Sequence, residues 1–118
     1  MTDERRGDAA PVDGVLTALA DPTRRQLLDL LAAHGEVTAT ALAEELPVTR
    51  QAVVKHLAVL DAAGLVASSR VGREVRYSVR PEALSATARW MDAVAAEWDR
   101  RLANLKRIAE AVERDSRQ

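Results

Sequence analysis

Apolar residues recur along the chain with two different periods. Val12, Val15, Leu16 and Leu19 are spaced as on one face of a short helix. Asp21-Pro22 then reads as a start signal: Asp21 caps a second helix and Pro22 fits its first turn. Leu27, Leu28, Leu30 and Leu31 give that helix its inward face, and Gly35 after His34 ends it. Thr38 caps a third helix that turns Ala41, Leu42 and Leu46 inward, and Pro47 breaks it. Thr49 caps a fourth, which runs to about Ala63 and is stopped by Gly64.

From Leu65 the period drops to two. Leu65 to Arg70 reads as one strand. In a second, Val75, Tyr77 and Val79 alternate with Glu74, Arg76 and Ser78, and Val71-Gly72-Arg73 turns between the two. Helical spacing returns at Pro81, with Leu84, Ala88, Met91, Ala95, Trp98, Leu102, Leu105, Ala109 and Val112 in alternating steps of three and four. That is a seam of about 3.5-residue period, suited to packing on another helix. The prediction is a mainly α chain with a small β-hairpin, in the order α-α-α-α-β-β-α. Residues 1–11 form a disordered polar tail, 12–80 the main domain, 81–113 a C-terminal helix and 114–118 a short tail.

Composition limits the core more than it limits function. Phe is absent and aromatics are 3 % of residues, so the interior is built from Leu, Val and Ala. The absence of cysteine excludes disulfides and thiolate metal sites. No apolar run approaches the ~20 residues of a membrane span, and Met1 to Asp13 lacks the apolar stretch of a secretory signal. A cytoplasmic protein with no membrane partner is expected. The net charge of −1 hides an uneven distribution: residues 1–48 sum to −5, residues 49–80 to +4 and residues 81–118 to 0. The basic segment, with Arg50, Lys55, Arg70, Arg73, Arg76 and Arg80, coincides with the fourth helix and the hairpin. A local basic patch is the footprint of a phosphate-binding face.

Two short helices joined by a tight turn and followed by a hairpin make a winged helix-turn-helix. On the fourth helix Val53, Leu57 and Leu60 form the core stripe, because residues advance by about 100°. The opposite side holds Gln51, Val54, Lys55 and Ala58, with Thr49 and Arg50 at the helix start. Gln51 suits adenine N6 and N7, Arg50 or Lys55 suits guanine or phosphate, and Val54 suits a thymine methyl. His56 falls beside the core stripe, where it supports the helix or lies next to a phosphate. In the hairpin, Arg70, Arg73 and Arg76 flank the tip, with Arg73 best placed for a minor groove or phosphate. Solvated charge, with an arginine of the hairpin pairing Glu74, is the competing reading of the tip.

The segments Ala20-Asp21-Pro22-Thr23-Arg24-Arg25, Val53-Val54-Lys55-His56-Leu57, Leu60 to Val66 and Gly72-Arg73-Glu74 resemble those of the arsenical-resistance-repressor (ArsR) family of winged-helix regulators. The similarity covers about residues 12–80. It implies a homodimer, formed by the first and last helices, that represses transcription from a palindromic operator, often its own promoter. Dimer contacts would then involve Val15, Leu16 and Leu19 with Leu84, Met91, Trp98, Leu102 and Leu105; the last-helix seam suggests the same partner independently. The family often has Ser where this chain has Val54, which removes a hydrogen-bonding contact.

Metal-sensing relatives use cysteines, or Asp, His and Glu groups on the last helix. The only histidines here are His34 and His56, and Asp92, Glu97 and Asp99 on the last helix are poor transition-metal ligands without imidazole or thiolate. The expectation is no metal, no cofactor and a non-metal branch of the family, with Trp98 in the seam and Trp90 in a nearby groove. No phosphate loop or nucleophile motif supports an enzyme. A winged-helix protein-interaction module is the alternative function, and the arginine-rich 49–80 segment argues against it.

Overall fold

A two-residue turn joins the first two helices, and the polar groups around it are paired. In the computed structural model, which describes residues 12–117, α1 covers residues 12–19 and α2 covers Pro22–His34. The expected tail over residues 1–11 lies outside the described residues. Asp21 caps α2, its Oδ1 accepting the backbone N–H of Thr23 at 2.8 Å and of Arg24 at 3.3 Å. Pro22 stands where the helix would leave an N–H unpaired, and has none to leave. The last carbonyls of α1 are taken by arginine side chains. Arg24 donates from Nε to the Ala18 carbonyl at 2.7 Å and from a terminal nitrogen to the Thr17 carbonyl at 3.1 Å, and Arg25 donates to the Leu19 carbonyl. Cations are favoured at a helix C-terminus, where the carbonyl ends of the dipoles collect.

The remaining caps follow the sequence. Gly35, at φ +89°, donates its N–H to the Leu31 carbonyl and ends α2. Thr38 Oγ1 accepts from Ala41 N to start α3 (Ala39–Glu45), and Thr49 Oγ1 accepts from Ala52 N to start α4 (Arg50–Ala62). Gly64, at φ +78°, turns the chain into β2 (Val66–Val71), and β3 (Glu74–Val79) returns antiparallel to it.

The sheet has a third strand that the alternation did not predict. β1 (Val37–Thr38) pairs antiparallel with β3, Val37 opposite Tyr77 and Thr38 opposite Arg76, giving the order β1-β3-β2. Two residues are too few to show a period, and Thr38 already serves as the cap of α3. The core beneath the sheet joins Leu27 and Leu31 of α2, Leu42 of α3, Val53, Leu57 and Leu60 of α4, and Leu65 and Val66. Val15 and Ala18 of α1 belong to it as well. Val15 is 0 % exposed, so it has no surface for the dimer contact expected of it; Leu16, on the next position round the helix, is exposed.

α5 spans Glu82–Arg117, beginning after Pro81 and running past Val112. The chain divides into two compact units, the first ending at Thr87 and the second consisting of the rest of α5. Thr87 is buried in the first unit and donates its hydroxyl to the Ala83 carbonyl at 2.9 Å, so no polar atom is stranded there. No helix among the described residues is long and apolar enough to cross a membrane.

Asp21 supplies a pH test of the α1–α2 junction. Partial desolvation pushes its carboxyl pKa up, but the N–H bonds from Thr23 and Arg24 and nearby positive charge, Arg24's included, outweigh that and hold it below 3.8. A lowered folded-state value means the stabilisation is present above 3.8 and is lost as pH falls through the folded value. Asp21→Ala is therefore expected to lower the melting temperature at pH 7. The gap from the native protein should narrow as the medium is acidified below 3.8, as followed by circular dichroism.

Candidate nucleic-acid interface

Burial of Val53, Leu57 and Leu60 sets the rotation of α4. Gln51, Val54, Lys55 and Ala58 then face outward, as the periodicity requires, and Val54 keeps 37 % of its surface exposed. Arg50 is steadied from α3: its Nε donates to Thr40 Oγ1 at 3.1 Å. Thr49 is exposed, but its hydroxyl is occupied as the cap. The helix start thus presents a cation, an amide and an apolar patch within two turns.

Register sorts the three arginines of the wing. Arg70 is opposite Val75, Ser69 opposite Arg76, and Val71 opposite Glu74. Directly opposed residues share a face and neighbours alternate. Arg70 therefore shares a face with Val75, Tyr77 and Val79, the last two of which pack on the core. Arg76 lies on the other face and is paired with Glu74 at 3.0 Å. The competing reading, an arginine of the hairpin paired with Glu74, holds for Arg76, two residues along one face of β3. Arg73 stands in the two-residue turn, after Gly72 at φ +64°, with its side chain at the hairpin tip. A positive φ followed by an ordinary one is the pattern of a type II′ turn, which needs Gly first.

α4 and the wing tip face each other across a groove of about 540 Å³. Thr38 to Thr40 line it between the two elements, with Arg50 and Val54 from α4 and Arg73, Glu74, Val75 and Tyr77 from the hairpin; the Glu74 carboxylate there is paired with Arg76. A cation on each wall and an open mouth suit a negatively charged strand rather than an enclosed small molecule. Among the described residues no group of three or more His, Asp or Glu is placed to hold a metal ion.

His56 does not lie on this face. Five residues from Gln51 it is turned by about 140°, half-buried, with Nδ1 3.4 Å from a terminal nitrogen of Arg24. Its expected helix-supporting role has a partner here, and its candidacy for DNA contact has no exposed position. Reading the sequence for surface cations missed Arg24, whose side chain is only 15 % exposed. Periodicity does not connect Arg24 with His56, 32 residues away.

Comparisons with known proteins bear on the family and the fold. A helix-turn-helix domain model matches residues 19–69. The chain is 34 % identical over 80 residues to the transcriptional repressor SdpR of Bacillus subtilis (strain 168), an alignment covering 68 % of this chain and 88 % of SdpR. It is 43 % identical over 74 residues to the HTH-type transcriptional regulator Rv2034 of Mycobacterium tuberculosis, covering 63 % and 68 %. Among solved structures, an ArsR-like transcriptional regulator from Rhodococcus sp. RHA1 superimposes with a TM-score of 0.79 at 48 % identity, over 87 % of this chain and 96 % of that one.

The outward side of α4 and the wing tip can be tested separately from the salt bridge behind the wing. Lys55→Ala and Arg73→Ala should each weaken DNA binding and lower the slope of log affinity against log salt by about one, the loss of one phosphate contact. Arg76→Ala should change the slope by less, because its guanidinium is held by Glu74 on the other face. Titration of labelled duplex at several salt concentrations reads all three. Equal slopes for all variants and the native protein would contradict the arrangement.

Proposed function

Because the chain belongs to the arsenical-resistance-repressor (ArsR) family of DNA-binding winged-helix transcriptional regulators, we propose that it works as a homodimer that represses transcription by occupying a palindromic operator, its own promoter among the targets. The observation that carries the dimer is the state of α5. Met91, Trp98, Leu102, Leu105, Ile108 and Val112 lie along one side of the helix and are more than half exposed, Trp98 and Leu102 at 63 %. Leu84 and Trp90 extend the stripe, and Leu16 of α1 is a further exposed apolar side chain. A helix segment of 30 residues is about 45 Å long, and an apolar stripe of that length does not stay in water in a soluble protein. A second copy offers the same stripe, which is the self-complementarity a two-fold interface needs.

In such a dimer two α4 helices enter successive major grooves about one helical turn apart. Gln51 would read adenine and Val54 a thymine methyl, while Thr49, Arg50 and Lys55 serve guanine or phosphate. Arg73 would reach the minor groove or backbone beside the site, with Arg70 behind it. The repressor named SdpR, with which the chain shares most of its length, supports repression as the outcome of occupancy.

Leu102→Glu tests the assembly and its consequence together. The native protein should sediment as a dimer and protect two symmetric half-sites. The variant should sediment as a monomer and lose about a hundredfold in operator affinity, the penalty for binding one half-site at a time. A variant that remains dimeric, or a native footprint with a single asymmetric half-site, would overturn the reading.

A further inference from the structure

α4 meets α1 and α2 through apolar packing and one directional side-chain contact. Arg24 makes that contact. From the first turn of α2 its guanidinium reaches the Thr17 and Ala18 carbonyls at the end of α1, lies 3.7 Å from Asp21 Oδ2, and places a terminal nitrogen 3.4 Å from His56 Nδ1. Among the described residues this is the only side-chain hydrogen bond joining α4 to α1 or α2. A guanidinium has five donors and no acceptor. His56 must therefore accept at Nδ1, which puts the ring proton on Nε2.

Apolar burial is non-directional. Val53, Leu57 and Leu60 fix which side of α4 faces inward, yet such contacts tolerate a small roll or slide of the helix. Base readout tolerates much less, since a binding constellation has to be held within about 0.5 Å and 10–20°. A planar fork bonded to two fixed carbonyls resists that slide, because its donors sit in one rigid geometry.

We propose that Arg24 is a positioning residue for DNA recognition: through His56 it ties the setting of α4 to the end of α1, so that whatever holds α1 also sets how α4 meets the groove. This rests on the reading of α4 as the DNA-reading helix. Arg24 touches no base or phosphate in this scheme. The partner that would bind α1 is the second copy of the chain, which gives dimer assembly a path to the recognition helix lying wholly inside one protomer.

The test uses the full chain, with variants compared at a temperature where circular dichroism shows all of them folded. Arg24→Lys keeps the charge but loses the fork, and His56→Leu removes the acceptor; each should weaken promoter binding about fivefold to tenfold. The double variant should lose no more than the worse single one, because both remove the same contact. His56→Asn places an oxygen acceptor near the former Nδ1 and should restore most of the affinity. Nitrogen NMR of the histidine rings, recorded without DNA, should show His56 Nδ1 unprotonated in the native protein and altered in Arg24→Lys. Multiplicative losses in the double variant, or a protonated Nδ1 in the native protein at neutral pH, would overturn the proposal. Native protein that binds no promoter DNA would overturn the reading of α4 itself, while the ring signals would still report whether the Arg24 contact exists.

Discussion

Three side chains on α4 decide what the molecule can present to DNA. Val53, Leu57 and Leu60 are fully buried against α2, α3 and the base of the sheet. Each is worth about 1.5–3 kcal/mol in the interior. Turning α4 by one residue would bring part of that apolar surface into water and move Lys55 or Gln51 toward an interior with no partner for them, which costs more again. The helix therefore has one acceptable rotation. Gln51, Val54, Lys55 and Ala58 face outward as a consequence of what faces inward.

The wing obeys the same kind of constraint with a period of two. Tyr77 and Val79 pack on the core, so the positions that share their face, Val75 and Arg70, are fixed on the groove side of the hairpin. The intervening positions carry the Glu74–Arg76 pair, which holds Arg76 away from the groove while Glu74, next to the tip, borders it. Of three arginines clustered in sequence, one stands at the tip and the other two are separated by the sheet. The groove between wing and α4 carries Arg50 on one side and Arg73 on the other because of these two periodicities acting together.

Elements that announce themselves by repetition were legible in the sequence. The capping roles of Asp21, Thr38 and Thr49, the stops at Gly35 and Gly64, the inward face of α4 and the hairpin all come from local chemistry or short periods. Long-range pairing was not legible. β1 has two residues and no pattern, and is recruited only because β3 offers an unpaired edge. Val15 and Leu16 are both apolar and adjacent, and only the packing of α1 shows that the first is core and the second surface. Arg24 and His56 are 32 residues apart, and nothing in either segment says that one guanidinium will join two helix ends to a third helix.

The first unit satisfies its own core and the α5 stripe does not, which is the ground for the proposal of one face for DNA and one for a second copy of the chain. The measurement that tests this account most directly is binding to a labelled fragment of the protein's own promoter, at two salt concentrations, with random DNA as competitor. The account predicts tight binding that resists the competitor and weakens steeply as salt rises, because cations released from phosphates supply much of the affinity. Binding no stronger than to random DNA, or binding indifferent to salt, would contradict it.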